Sequence, residues 1–395
     1  MFILPNTLGA GIGPYAFTYM GPLFLILFLV FILANPSFSL RIRGVRESVY
    51  FFGLPVLTGI WWLIIQTDDA LFEFAHVVLG AVTILLMLWL LRTAQGIHRL
   101  VVVLKVGGVI LCIWAIGQYI TGTYERPPAG WGNPNYLTTC LALIAPVLWV
   151  EAVGLVTKPK WSSIVLISLF AGTMVLAGSR ANLLALLVQG AVVIWQRFSA
   201  RSTMKSYVFR GIFILFLLIA GGGITQSIIS LTSEGGIDEQ IKRGYGSLFI
   251  RSVMAHDGLQ VFLESKGIGV GAGNLTYDYS SQPKHFTGEE ADNNIYPIHN
   301  FLLQLAAQYG VFGLLLFGTT YIGLLRGLHS RDSLLIAQRD KSIQTVEIVR
   351  RSGWAFLISF LIVSLSVSYL FNRRPFYLVF GLYLVVNQYL IRKSE

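Results

Sequence analysis

The sequence predicts an all-α polytopic membrane protein, and three observations carry that fold class. Hydrophobic residues make up 55% of the 395 positions and charged residues only 12%, with a mean hydropathy of +0.68. A soluble domain carries about a quarter of its residues as charges. The apolar residues also fall in runs of roughly 17–25, the length a helix needs to cross a bilayer core. Lysines and arginines gather in the short loops between these runs, as membrane orientation requires. That placement takes the net charge of +10 away from a nucleic-acid footprint. Cys112 and Cys140 fall inside predicted spans, so neither a disulfide framework nor a thiolate metal site is expected.

Taken in order, the runs give about eleven spans near 17–35, 49–67, 73–91, 106–121, 136–156, 161–178, 181–196, 211–231, 301–325, 353–371 and 376–391. The stretch from Met1 to Pro36 has no charge and so lacks the basic start of a cleaved signal peptide. It is expected to be a retained first span entered from outside, with Gly9 to Pro14 as part of it or as a re-entrant piece. One set of loops carries Arg41, Arg43 and Arg46, then Arg92, Arg99 and Lys105, then Lys158 and Lys160, and Arg197, Arg201, Lys205 and Arg210. The same set continues with Arg326, Arg331, Arg339, Lys341, Arg350 and Arg351, and with Arg392 and Lys393. It holds about two-thirds of the 29 Lys and Arg residues, which assigns it to the cytoplasm. The N terminus is then outside and the C terminus inside.

The chain divides accordingly into helices over 1–231, a polar external loop over 232–300 and further helices over 301–395. A long loop between spans is functional or disordered more often than merely connecting. This one is expected to be folded and catalytic. Ser247 to Lys266 reads as an amphipathic helix with Leu248, Arg251, Ala255, Leu259 and Phe262 on one stripe. Glycines break it, and Asn274 to Pro297 reads as loop. No internal repeat of the transporter kind stands out.

Several side chains in this frame could carry chemistry. Arg180, in Gly178-Ser179-Arg180-Ala181-Asn182, is the only charge in a short external turn. It reads either as an anion-binding group or as an anchor that snorkels to the headgroups. Arg251 lies on the stripe expected to be buried, where a guanidinium needs an anion. A substrate phosphate would serve, and so would an ion pair with Asp257 or Glu264. Two arginines at one external cleft suit a pyrophosphate, whose oxygens accept paired guanidinium hydrogen bonds.

His299 opens the ninth predicted span, and Asn300, Gln304 and Gln308 follow at steps of four on one helix face. A histidine above that stripe can accept a proton near neutral pH, or be structural. The glycine ladder Gly267, Gly269, Gly271, Gly273 reads as an anion-binding nest or as a close-packing turn. It fails as a dinucleotide fingerprint, because no strand–turn–helix unit surrounds it. Glu289, Glu290 and Asp292 read as a solvated acidic run, and no metal site is expected.

Taken together, Gly132-Asn133-Pro134-Asn135-Tyr136, the Gly178–Arg180 turn, Arg251, the Gly267–Asn274 ladder and His299-Asn300-Phe301-Leu302-Leu303-Gln304 resemble the O-antigen polymerase and O-antigen ligase superfamily. The resemblance covers most of the chain. It implies a GT-C-like fold in the bacterial cytoplasmic membrane, whose external loop caps a cleft open to the outer leaflet. Members often have about twelve spans, so one near the N terminus is either uncounted or absent. It implies an undecaprenyl-pyrophosphate-linked glycan as donor, with Arg180 and Arg251 at the pyrophosphate and His299 as catalytic base. Asn135, Asn300, Gln304, Gly271 and Gly273 become substrate-binding candidates.

The expected reaction is inverting and metal-independent, with no cofactor. The first reading is a surface-polysaccharide polymerase, and the second a ligase that moves glycan to lipid A-core or protein. A transporter or flippase of lipid-linked sugars or small solutes is the rival of another class, and a scaffold without chemistry is a further one. Expected partners are the lipid-linked donor, a glycan or lipid acceptor, membrane lipids, and chain-length regulator or flippase proteins, with no nucleic acid.

Overall fold

A computed structural model describes residues 46–66, 68–130, 133–199, 255, 258–271, 300–329, 340–364 and 374–394. Nine helices of sixteen residues or more are described there: α1 (Arg46–Ile65), α2 (Asp68–Leu90), α3 (Ala94–Ile120), α4 (Pro134–Val153), α5 (Trp161–Leu176), α6 (Arg180–Ser199), α7 (Phe301–His329), α8 (Lys341–Ser364) and α9 (Arg374–Ser394). Among the described residues there is no strand. Five helices are long and apolar enough to cross a membrane, within α2, α3, α4, α6 and α7, and three shorter apolar stretches lie in α1, α5 and α9. The protein is a multi-pass membrane protein. The expected spans at 17–35 and 211–231 lie outside the described residues.

Two helices form the interior. In α4 nearly every residue from Leu137 to Ala152 is buried, and it packs against α5, α6 and α8. In α9 residues 376–390 are buried, and it touches α2, α3, α4, α7 and α8. Between α7, α8 and α9 the filling is aromatic: Phe301, Phe317, Phe356, Phe360, Phe376 and Phe380 form one connected chain of ring contacts. The outward side of α3 carries exposed Val102, Val103, Val106, Ile110 and Ile113, a face suited to lipid.

Several polar groups inside the bundle are paired. Pro146 has no N–H to offer the Ala142 carbonyl one turn before it. Gln189 of α6 supplies the missing donor, Nε2 to Ala142 O at 2.8 Å, and also bonds Ser359 Oγ at 2.9 Å. Glu151, 4% exposed, accepts from Lys105, from Lys160 at 2.9 Å and from Ser163 Oγ at 2.8 Å. Glu347 receives both forks of the Arg350 guanidinium at 2.7 Å and Arg351 Nε at 2.8 Å.

These pairs correct two boundaries. The hydropathy reading put Lys105, Lys341, Arg350 and Arg351 in loops, with spans at 106–121 and 353–371. Lys105 lies inside α3, and all three of the others lie within α8, which begins at Lys341. A hydropathy sum penalises each charge separately, whereas here the acid and base neutralise each other against protein.

Shared contacts fix the two ends of the bundle. Lys105 in the first half of α3 meets Glu151 at the end of α4, and His98 near the start of α3 meets Thr345 at the start of α8 at 2.7 Å. Phe301 at the start of α7 packs on Phe360 late in α8 and on Phe376 at the start of α9. Asn182 at the start of α6 bonds Thr138 at the start of α4. The first turns of α4, α6, α7 and α9 therefore share one end, and the ion pairs occupy the other.

Candidate functional site

The shared end is built from a loop, a turn and a helix start. After α3 the loop over 121–130 folds inward on Pro127, Pro128, Ala129 and Gly130, all buried, with Ala129 N–H donating to Gln118 Oε1 at 2.8 Å. Asn133 then caps α4, its side chain accepting from Asn135 N–H at 2.8 Å, and Pro134 takes the first helical position, where a missing N–H costs nothing.

From α6, buried Asn182 reaches back with Nδ2 to Thr138 Oγ1 at 2.8 Å, Thr139 Oγ1 at 3.2 Å, Ser179 Oγ at 3.0 Å and Asn135 O at 3.4 Å. Two motifs far apart in sequence are thus joined through one amide. Arg180 is the first residue of α6 and is exposed. Its position at a helix N terminus adds the positive end of the helix dipole to its own charge.

The expectation that Arg180 is alone at this turn is corrected. Arg126 crosses from the preceding loop, with Nε donating to Ala177 O at 3.2 Å and Nη2 to Gly178 O at 3.1 Å. Those carbonyls end α5, where a cation complements the dipole. The link spans about fifty residues of sequence, so no local pattern announces it. The one legible signal is a basic residue shortly before the Gly132–Tyr136 motif on the side otherwise poor in positive charge.

The glycine ladder lies against α7 and is spliced into it. Gly310 has φ 64° and ψ −158°, which interrupts the helix. Val311 N–H donates to Gly267 O at 2.8 Å, while the Ala307 carbonyl receives Val270 N–H and the Gln308 carbonyl receives Gly271 N–H, each at 2.9 Å. Gly269 N–H goes to Ser265 Oγ at 3.0 Å. The loop thereby supplies the partners that the broken helix loses. A nest at this point would need those three amides for the anion, and they are committed within the protein. Over 267–271 the ladder is a close-packing turn, so Gly271 has no amide donor left for substrate.

A Cβ on Gly269 would stand 2.6 Å from both Gln308 O and Gly310 N, at a φ of +87°. Gly269→Ala is therefore expected to lower stability by at least about 2 kcal/mol, since a left-handed L-residue alone costs roughly 1–2 kcal/mol. Thermal unfolding in detergent measures it, with Gly117→Ala as the control, because nothing stands within 4 Å of a Cβ there.

The short helix over 258–264 is present, but Leu259, expected on its buried stripe, is 46% exposed. Val261 packs on Ala307 instead, together with Val270 and Leu303. Asn300 caps α7, its Oδ1 accepting from Leu302 N–H at 3.1 Å and Leu303 N–H at 3.2 Å. Gln304 and Gln308 are buried at 3% and 1%, with Gln304 Nε2 donating to Gln308 Oε1 at 3.3 Å. Gln308 Nε2 continues to Glu73 Oε2 at 3.3 Å, and Tyr309 Oη donates to Glu73 Oε1 at 2.7 Å. Glu73 of α2, 4% exposed, was not singled out by the sequence, because it stands at the edge of a predicted span. An acid inside an apolar run is the signal that marks it.

Asn135, Arg180, Gly271, Asn300 and Gln304 thus gather at one end of the bundle, in two groups: the α4–α6 turn and the α7 start. Arg251, Gly273 and His299 lie outside the described residues. Comparison with known proteins covers Arg180 of the first group and the α7 start of the second, but not Asn135. Residues 164–318 match the family model described as O-antigen ligase. That segment takes in the Arg180 turn, the glycine ladder and α7 past its break. The teichuronic acid biosynthesis protein TuaE of Bacillus subtilis (strain 168) is 29% identical over 134 residues, which is 34% of this chain. The aligned part spans 25% of that protein's length. Motif order, bundle and family match agree in what they resemble: over residues 164–318 the chain is similar to the O-antigen polymerase and ligase superfamily.

Proposed function

We propose that the protein is a GT-C-like membrane glycosyltransferase working on undecaprenyl-pyrophosphate-linked oligosaccharide at the outer face of the bacterial cytoplasmic membrane, as a surface-polysaccharide polymerase. The observation that carries the reading is the arrival of two guanidinium-bearing residues, Arg126 and Arg180, at one turn of the bundle end where α7 begins. Guanidinium groups match paired phosphate oxygens, and a helix N terminus adds to the attraction.

In this scheme the segment over 232–300 is the external catalytic loop between helical units 1–231 and 301–395, with the N terminus outside and the C terminus in the cytoplasm. His299 takes the proton from an acceptor hydroxyl as that oxygen attacks the anomeric carbon. The C–O bond to pyrophosphate breaks with inversion, and Arg180 and Arg251 stabilise the departing undecaprenyl pyrophosphate without a metal. Asn135 and Asn300 stand at the rim to contact sugar.

The relative is named a teichuronic acid biosynthesis protein, which supports a role in synthesis rather than transport. The family description favours a second reading, a ligase that moves finished glycan to lipid A-core or protein. Transport of the lipid-linked sugar finds less support, because Gln189 Nε2, in the bundle's middle, is engaged by Ala142 O and Ser359 Oγ rather than offered to a path. Purified full-length protein mixed with lipid-linked oligosaccharide decides between the two enzymes. Longer lipid-linked glycans are expected; glycan appearing only on an added lipid A-core or protein acceptor would replace polymerase by ligase.

A further inference from the structure

The short helix over 258–264 presents three different faces. At about 100° per residue, Gly258, Val261 and Phe262 fall on one side, Leu259 and Leu263 on a second, and Gln260 and Glu264 on a third. The three sectors stand roughly 120° apart on that count. The first side meets protein: Val261 packs on Ala307 of α7, and Phe262 lies against the Gly267 turn. The third is polar and exposed, with Gln260 Nε2 donating to Glu264 Oε1 at 3.0 Å. The second is apolar and just as open, with Leu263 64% exposed.

A lone exposed leucine needs no explanation, but this pair belongs to a larger surface. Ile268, exposed in the turn that follows, carries it to α7, where Val311, Phe312 and Leu315 are exposed in their turn. The junction is a direct contact, because Val311 N–H donates to Gly267 O at 2.8 Å. Since α7 is long and apolar enough to cross a bilayer, its exposed apolar stripe is a face for lipid.

Depth along α7 points the same way. A hydrocarbon core of about 30 Å takes roughly 20 helical residues. Counted back from exposed Arg326 at the far end of α7, the core begins at about Ala306. Val261 touches α7 at Ala307, which is the level of that edge. The Gly267 carbonyl meets Val311, about 6 Å or more deeper at 1.5 Å per residue. Interrupted backbone is tolerated at membrane depth only where protein satisfies it, and the amides of Val270 and Gly271 do so for the carbonyls of Ala307 and Gln308.

We propose that residues 258–268 are a membrane mooring. The helix lies in the plane of the bilayer surface beside α7, with Leu259, Leu263 and Ile268 among acyl chains and Gln260 and Glu264 at the headgroups. Lys266 reaches the same headgroup level by extending its stem. What covers the apolar face is lipid of the leaflet on the Arg180 side, the outer one in the orientation proposed above. The described part of the segment between α6 and α7 then meets a lipid-borne substrate at headgroup level rather than from bulk water. This mooring needs only the multi-pass membrane fold, not the transferase reading.

Full-length protein in nanodiscs tests it. Cys112 and Cys140 are both buried, and the parent labelled under the same conditions sets the background. Cysteine is introduced singly by Leu259→Cys, Leu263→Cys or Gln260→Cys, with Phe312→Cys as the lipid-facing reference. Each is labelled with an environment-sensitive fluorophore. Labels at 259 and 263 are expected to be quenched by doxyl-labelled phospholipid nearly as strongly as the label at 312. They are also expected to lose most of the iodide quenching seen at 260. Iodide quenching at 259 and 263 equal to that at 260 would mean a water-facing surface and overturn the proposal. Shielding from both quenchers would mean a second copy, another protein or more of this chain on the face, and overturns it too. A split between the two leucine positions also overturns it, because the sector is then not one surface. Lipid quenching in a protein that transfers no glycan would leave the mooring in place and count against the transferase reading alone.

Discussion

Alanine at position 299 is expected to abolish glycan transfer while leaving folding and donor binding nearly intact. Removing a general base typically lowers the rate by about 10²–10⁴-fold. The motivation is the place of His299 immediately before Asn300, the residue that caps α7 at the end of the bundle shared with Arg126 and Arg180. Glutamine at the same position is expected to fail equally, because it can hydrogen-bond but cannot take the proton. Release of undecaprenyl pyrophosphate, followed against pH, measures both. Near-normal turnover of His299→Ala across neutral pH would reduce this histidine to an anchor.

Lysine in place of arginine at positions 180 and 251 is expected to slow transfer by about ten- to a hundredfold, the scale of one or two lost charge-assisted hydrogen bonds. An ammonium is a point charge and cannot match two phosphate oxygens in one plane. An arginine that merely snorkels to headgroups forecasts the reverse, since lysine snorkels as well. Arg180→Lys is expected to be the milder, because Arg126 holds a second guanidinium at the same turn. Turnover with lipid-linked donor at matched expression decides the matter. Full activity in both variants would remove the pyrophosphate role.

Most of the fold was legible because a bilayer allows few solutions. Apolar runs of spanning length found helices at α1, α2, α4, α5, α6, α7 and α9, with ends that differ by up to five residues, as at the start of α2. Where the reading slipped, at Lys105 and at Arg350 and Arg351, the charges had partners that the linear sequence hides. Glu151 lies far along the chain from Lys105, and a hydropathy sum takes no account of the pairing of Glu347 with Arg350.

Among the described candidates, residue types and helix faces were legible rather than contacts. The stripe of Asn300, Gln304 and Gln308 follows from helical spacing, and the latter two are indeed buried. What covers them is Glu73, on a helix more than two hundred residues earlier, which spacing cannot reach. Arg126 escaped for the same reason, since its partners are backbone carbonyls, and carbonyls are the same at every position. The glycine ladder stood open between a nest and a close-packing turn until the direction of its amides was known, and those of residues 269–271 point into the protein.

The central claim is a single external cleft that unites Arg180, Arg251 and His299 around a pyrophosphate. An experimental structure of the full-length protein with undecaprenyl pyrophosphate bound tests it most directly. The account places the diphosphate at the Arg126–Arg180 turn, with the Arg251 guanidinium on its oxygens and His299 within roughly 15 Å, a span generous for one sugar pyrophosphate when catalytic contacts need about 3 Å. Diphosphate bound elsewhere, Arg180 turned to lipid, or His299 beyond that distance from both arginines would contradict it.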